Sequence, residues 1–272
     1  MRVPRAMTIA GSDSGGGAGI QADIKTFQEL NVFGMSAITA ITVQNTLGVQ
    51  GVYPIPVAGV AEQIQVVGSD LGVDALKTGM LFNAEIIEAV TEEIKAFGWK
   101  KLVVDPVMVA KGGAELLCPD AASALKQKLL PLAMIVTPNI PEAEVLAGKP
   151  ITTWHTRCEA AKRIADYGVR MVVIKGGHDA GAEQSVDLLY DGNSFTKIAG
   201  PRIATRHTHG TGCTFSAAIA AQLAKGASAA EAVHTARSFI QAAIEETLNI
   251  GAGNGPTNHW AYRRRMESAQ CR

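Results

Sequence analysis

Apolar residues fall into short blocks that alternate with longer stretches of helical spacing. Met7–Ala10 is a short apolar run, and after a glycine-rich loop Gly19–Leu30 sets Ile20, Ile24, Phe27 and Leu30 on one helical face. Met35–Val43 is rich in β-formers and ends at Gln44-Asn45-Thr46. Helical periodicity over Val57–Leu71 precedes a short strand, Ala75–Thr78, that runs into Gly79-Met80. The pattern then repeats: helix Glu85–Phe97 and strand Lys101–Val104, helix Ala121–Leu130 and strand Met134–Thr137, helix Cys158–Tyr167 and strand Met171–Lys175. Past Gly176-Gly177 the spacing changes. Ser185–Tyr190, Ser194–Ala199 and Arg202–Ala204 read as short antiparallel strands, with Asp191-Gly192 as a hairpin turn. Two long helices, Thr214–Ala224 and Ala229–Leu248, complete the series.

This alternation predicts an α/β fold in which helices cover both faces of a mostly parallel sheet that has a few antiparallel strands. No Ser/Pro-rich linker, low-complexity run or repeat divides the chain. Residues 1–260 therefore read as one domain, and residues 261–272, with Arg263-Arg264-Arg265, as a basic solvated tail.

Composition narrows the function. The apolar fraction of 47% suits a large core, and 18% charged residues argue against disorder. Lys plus Arg equals Asp plus Glu at 25 each, so no global field recruits nucleic acid or an anionic membrane. Phosphate recognition must then be local. Cys118, Cys158, Cys213 and Cys271 form no C-x-x-C pair, which disfavours a zinc site or a disulfide framework. The apolar run before Gly11 is too short for a signal-peptide core, and no stretch reaches membrane-span length. A reduced, cytoplasmic protein is expected.

The polar outliers share one address. Asp13, Gln44, Asp105, Asn139 and Lys175 each follow a predicted strand, the sheet edge where open α/β folds bind ligands. The loop Gly11–Gly19 is no P-loop, because no G-K-[ST] follows it. Gly17–Ala22 fits a relaxed dinucleotide fingerprint, but Asn31–Tyr53 holds no acid for a ribose, and that reading fails. What remains is a floor that lets a flat ligand approach the backbone. Gln44 offers an acceptor and a donor pair in one plane, which suits an aminopyrimidine edge; a water-capped strand end is the plain alternative. Asn139 and Glu142 fit a helix cap with Pro141 in the first turn; with Asp105, Glu142 also fits the outer shell of a magnesium ion. Lys175 closes an apolar strand where a cation can meet phosphate. Gly210-Thr211-Gly212 open a helix whose amides and dipole attract an anion, and Cys213 follows directly. The same field would depress a thiol pKa. Nucleophile, general base and small helix-start residue all remain open for Cys213 at this point.

The segments AGSDSGGGAGIQADIKTF, TAITVQNT, KTGML, VVDPVM, TPNIPEAE, VIKGGH, HTHGTGCTFSAAIAA and GPTNHW resemble the bacterial hydroxymethylpyrimidine/phosphomethylpyrimidine kinases of thiamin biosynthesis, in the ribokinase-like superfamily. The match runs in order from about residue 5 to residue 260. The resemblance implies a three-layer α/β/α ribokinase-like domain, a homodimer, and ATP with Mg²⁺. It implies two successive phosphorylations of 4-amino-5-hydroxymethyl-2-methylpyrimidine. Gln44 would pair with the pyrimidine, and Asp23, Gly11, Ala18, Met80 and Val107 would line its pocket. Lys175 would meet ATP phosphate, and Asp105, Asn139 and Glu142 would organise magnesium and nucleotide. The amides of Gly210, Thr211 and Gly212 would form the anion hole. Sugar kinases of the superfamily carry Gly-Ala-Gly-Asp here with a catalytic aspartate; Gly-Thr-Gly-Cys puts Cys213 in the base's place. Val109–Ala114 could close over the phosphates. The rivals are a pyridoxal/pyridoxine kinase and a non-catalytic pyrimidine sensor. His207 and His209 have no role assigned from sequence.

Overall fold

In the computed structural model, which describes residues 2–109, 113, 116–118, 120–178 and 184–270, one nine-stranded sheet runs through the molecule. Its strands are β1 (Arg5–Asp13), β2 (Phe33–Asn45), β3 (Gly48–Pro54), β4 (Ala75–Thr78), β5 (Leu102–Val104), β6 (Ile135–Val136), β7 (Met171–Ile174), β8 (Gln184–Tyr190) and β9 (Phe195–Pro201). The spatial order is β3-β2-β1-β4-β5-β6-β7-β8-β9. The strands from β2 to β7 in that order pair in parallel, while β3 pairs antiparallel to β2, β8 to β7, and β9 to β8.

Successive residues of the inner strands serve opposite layers, as pleating requires. Met7, Ile9, Leu102, Val104, Val136, Val172 and Ile174 belong to one core; Ala6, Val103, Ile135 and Val173 belong to the other. The first core is covered by α2 (Val57–Asp70), α3 (Ala84–Phe97), α4 (Ala121–Ala124), α5 (Ile140–Ala147) and α6 (Trp154–Ala165). The second lies under α1 (Gly19–Glu29), α7 (Thr211–Ala224) and α8 (Ala229–Glu245). The helix expected to run to Leu130 changes pitch after Ala124, through a π turn and a 3-10 turn that ends at Leu132. Pro131 has no N–H to give to a regular α-helix, so the helix tightens and stops there.

The second strand ends at Asn45, within the expected Gln44-Asn45-Thr46, but the chain returns at once as β3, an element the sequence reading lacked because its two glycines and half-exposed positions hide its periodicity. Two expectations change. Arg202–Ala204 form no strand, because β9 is the sheet's edge and Pro201 closes its ladder. The β8–β9 turn spans four residues, Asp191–Ser194, with the Asp191 carboxylate accepting the amides of Asn193 and Ser194 at 2.8 and 2.7 Å.

The basic tail is also structured. Residues Ala261–Gln270 form α9, whose Tyr262 ring meets Phe239 at 5.3 Å between centroids. Arg265 pairs with Glu245 and Glu246, and Arg263 with Glu29. The charges that suggested a solvated terminus are the ones that find partners on α1 and α8. Cys271 lies outside the described residues.

The segment leading to α9 braces the start of α7. The His209 amide donates to the Gly255 carbonyl at 3.0 Å, and the Thr257 amide donates to that of His209 at 3.3 Å. Thr214 Oγ1 and His259 Nε2 share a hydrogen bond of 3.0 Å, and burial, helped by the Lys25 charge, lowers the His259 pKa to about 4 and leaves the ring neutral. The unfolded chain takes up this proton near pH 6.5, so the neutral ring's contribution is complete above that pH and is lost as pH falls toward 4. The full loss is about 3 kcal/mol. Urea unfolding from pH 7 to 4.5 should show a clearly shallower decline for His259→Gln than for the parent chain; parallel slopes would rule the linkage out.

Candidate active site

The strand order reverses at β1, between β2 and β4, and the expected polar residues gather around the carboxyl ends of these strands. Asp13 organises the glycine loop. Its carboxylate accepts the amides of Gly15 at 2.8 Å, Gly17 at 3.0 Å and Ala18 at 2.8 Å, and His209 Nε2 lies 2.9 Å away. Burial alone would raise this carboxyl; the bond and charge of His209 and the loop amides hold it below the usual range. Gly210, at φ +80°, brings α7 against this loop: a Cβ there would lie 1.8 Å from the Gly17 carbonyl oxygen. Only glycine permits that approach.

On one side of the crevice lie the residues expected to bind the acceptor. A Cβ on Gly11 would touch Met80 Sδ at 3.1 Å, so these two line one surface. The Ala18 amide is committed to Asp13. Gln44 is half-buried, with its side-chain amide 3.0 Å from Thr42 Oγ1 and 3.4 Å from His209 Nε2. Val107 is half-buried just past Asp105, whose carbonyl accepts its amide.

Asp23 is fully buried and pairs with Lys77 Nζ at 2.8 Å, while Thr8 Oγ1 donates to the same oxygen at 2.6 Å. Burial works against the Lys77 charge, but Asp23, with Cys213 and Asp105, outweighs it and raises the pKa. Cys213 stands within this field. Its thiol is not depressed as the helix position suggested: burial pushes it up to about 11, Lys77 pulls the other way, and Asp23 and Asp105 add to the rise. The helix start is real, but enclosure beside two carboxylates outweighs it.

The side expected to meet phosphate centres on Asp105 and Lys175, 2.9 Å apart. Thr137 and Ser216 hydroxyls reach the Asp105 carboxylate at 3.4 Å. A Cβ on Gly212 would lie 3.3 Å from Lys175 Nζ and 3.6 Å from Asp105 Oδ2, so the pair sits directly under the first turn of α7. Within that turn, the Thr211 amide reaches back to the Thr208 carbonyl at 3.3 Å. Asn139 caps α5, with Pro141 in its first turn, and exchanges bonds of 2.8 Å with Glu142 in a capping box. Burial pushes the Glu142 carboxyl up to about 7, opposed by Lys175 and reinforced by Asp105.

Among the described residues, no group of three or more His, Cys, Asp or Glu side chains is arranged to hold a metal directly. The two carboxylates of Asp105 and Glu142 beside Lys175 still fit the expected Mg²⁺, an ion that keeps several waters and takes the remaining ligands from phosphate. Residues 110–112 and 114 of the expected phosphate cover lie outside the described residues. His207 lies apart from this chemistry: it is buried behind the crevice, where a Cβ on Gly255 would strike its Nδ1.

Lys77 is the site residue that sequence reading missed. Its signal was a lone cation in a four-residue strand, Ala75–Thr78, that is otherwise built for burial. Asp23 Oδ1 is buried with no hydrogen-bond partner, so Lys77 is the charge that keeps this carboxylate in the interior. Lys77→Met should cost about 3–5 kcal/mol in urea unfolding, and adding Asp23→Leu should recover much of it. A loss below about 1 kcal/mol for Lys77→Met would contradict the pairing.

Comparison with known proteins gives this geometry a family. The phosphomethylpyrimidine kinase family matches residues 13–258. A hydroxymethylpyrimidine/phosphomethylpyrimidine kinase of Bacillus subtilis is 54% identical over 97% of each chain. One of Haemophilus influenzae is 55% identical, covering 96% of this chain and 98% of the relative. The solved ADP complex of Bacillus subtilis pyridoxal kinase superposes with a TM-score of 0.90 at 47% identity, covering 96% of this chain and 99% of that one. With the glycine loop, the Asp105–Lys175 pair and Cys213 placed around one crevice, the chain belongs to the phosphomethylpyrimidine kinase family.

Proposed function

We propose that this protein uses ATP to phosphorylate 4-amino-5-hydroxymethyl-2-methylpyrimidine to its monophosphate and then to its diphosphate in thiamin biosynthesis. One observation carries the reading: the start of α7 has the Lys175–Asp105 pair under Gly212, while Gln44 lies beside His209, one residue before Gly210. Phosphate-binding and ring-reading groups thus meet at a single helix start that also holds Cys213.

The geometry supports the following roles. Gln44 reads the amine edge of the pyrimidine, and Gly11, Ala18, Met80 and Val107 bound its pocket, while Asp23, sealed with Lys77, acts on the site only through its charge. Lys175 binds the transferred phosphate as a point charge, and the amides of Gly210, Thr211 and Gly212 receive the anion with the α7 dipole behind them. Asp105 and Glu142, through water, and Asn139 beside them, would hold Mg²⁺ and nucleotide; the ion would supply charge neutralisation between phosphates. Glu142 then acts as a carboxylate, since a cation beside it favours loss of the proton that burial retains.

Cys213 is assigned to the acceptor hydroxyl. Its resting thiol is protonated even with Lys77 beside it, and a cation held at Asp105 would favour the thiolate that serves as base. The second acceptor is a phosphate monoester and needs no base at all.

The exposed apolar residues Ile41, Val43, Leu47 and Tyr53 on the β2–β3 hairpin support the homodimer reading. Cys118, Cys158 and Cys213 are free thiols, which suits a cytoplasmic location, and no described helix is long and apolar enough to cross a membrane.

ADP release with Mg-ATP tests the whole assignment, using the pyrimidine alcohol, its monophosphate and pyridoxal as acceptors on a preparation expected to sediment as two chains. Both pyrimidines should turn over well above pyridoxal. Cys213→Ala should slow the first phosphorylation about 10²–10⁴-fold and the second by less than about 10-fold. Turnover of pyridoxal alone would move the protein to vitamin B6 chemistry, and equal losses in both steps would leave Cys213 only a positional role.

A further inference from the structure

The contacts around Gln44 contain two conflicts that share one resolution. Asp13 accepts three loop amides, so its carboxylate acts only as an acceptor, and His209 Nε2 at 2.9 Å must carry a hydrogen toward it. The Gln44 side-chain nitrogen lies 3.4 Å from that same Nε2, which sets a donor against a donor. On its other side, Thr42 Oγ1 is 2.9 Å from the Ser12 carbonyl and 3.0 Å from Gln44 Oε1, so one proton faces two acceptors. Turning the Gln44 amide by half a turn removes both conflicts. Its nitrogen then donates to Thr42 Oγ1, whose proton goes to the Ser12 carbonyl. Its oxygen accepts the His209 proton, shared with Asp13.

We infer that His209 is a positioning residue for substrate choice: its Nε2–H, oriented by Asp13, fixes which end of the Gln44 amide faces which neighbour. The inference rests on the reading of Gln44 as the residue that meets the pyrimidine. One N–H and one carbonyl lone pair of the amide stay unused, and their order in space is set by the His209 and Thr42 anchors. An aminopyrimidine edge presents an amine donor beside a ring-nitrogen acceptor, so only one order pairs with it. The opposite order sets donor against donor and acceptor against acceptor. A pyridine bearing a phenolic oxygen presents a different edge and gains nothing from the same order.

The surroundings keep His209 in place. A Cβ on Gly17 would lie 2.6 Å from His209 Cδ2 and 3.1 Å from Pro256 Cβ, so the ring is wedged between the glycine loop and the segment before α9. Its backbone is tied on both sides, to Gly255 and Thr257. The Gln44 backbone is tied as well, since its amide donates to Ser14 Oγ and its carbonyl accepts from that hydroxyl, both at 2.9 Å. With the backbone tied, the orientation of the Gln44 side-chain amide is left to its His209 and Thr42 anchors.

Steady-state kinetics with the pyrimidine alcohol and with pyridoxal test the inference on four variants: Gln44→Ala, His209→Leu, His209→Gln and the double Gln44→Ala/His209→Leu. His209→Leu should raise KM for the pyrimidine about 10- to 100-fold, the cost of leaving such polar groups mispaired, with kcat little changed. The pyrimidine-over-pyridoxal ratio of kcat/KM should fall accordingly. His209→Gln, which still reaches Asp13 with an N–H, should recover most of the loss. In the Gln44→Ala background, His209→Leu should add less than about 3-fold. Equal losses for both acceptors, or losses that multiply in the double variant, would reduce His209 to a support of the loop and overturn the inference. An unchanged pyrimidine KM in Gln44→Ala would reject the reading of Gln44 itself and the inference with it. Thr42→Val removes the other anchor of the same amide; should His209→Leu fail to fold, it must show the same KM-only, non-additive loss, and a kcat loss in its place would overturn the inference.

Discussion

Two helix starts meet backbone to backbone, and the rest of the site depends on that contact. The Gly17 carbonyl occupies the space that a side chain at Gly210 would need, and the Gly11 carbonyl does the same for Gly19. With α1 and α7 opening on one crevice, the positive ends of both dipoles face it, which creates a need for anions. Asp13 meets part of that need inside the protein, by gathering loop amides. A phosphate bound at Gly210–Gly212 would meet the rest.

Two lysine–aspartate pairs divide the electrostatic work. Lys77–Asp23 is sealed, with neither side chain exposed, so it cannot exchange partners and acts as a fixed field on Cys213. Lys175–Asp105 lies at the crevice, with the Lys175 side chain 17% exposed. On the proposed function its partners separate when ligands arrive, the ammonium toward phosphate and the carboxylate toward a cation. Holding each other meanwhile, they avoid two unpaired charges in a half-dry site. Cys213 lies between these regimes, and its raised pKa records that both carboxylates act on it.

Much of this was legible in the sequence because it is local. Apolar blocks at strand and helix spacing gave the alternating elements, and the capping box of Asn139 and Glu142 could be read from residues three apart. The edges were less legible: β3 is half-exposed and glycine-broken, and α9 reads as charge until its partners on α1 and α8 are known. Long-range pairings were not legible at all. Nothing near Lys77 announces Asp23, 54 residues away, and nothing near Asp13 announces His209, 196 residues away. The thiol of Cys213 was misjudged for the same reason, since its helix position is local and its enclosing carboxylates are not.

The account stands most directly on the contact between Gly17 and Gly210. A single methyl group at Gly210 must push α7 away from the glycine loop, moving Gly212 and Cys213 with it while changing the identity of no side chain assigned to the site. Gly210→Ala, compared with the parent chain by kcat/KM for the pyrimidine alcohol and by circular dichroism, should keep its secondary structure and lose at least about 100-fold in kcat/KM. A variant within about 3-fold of the parent would show that the two helix starts need not touch, and would contradict the account.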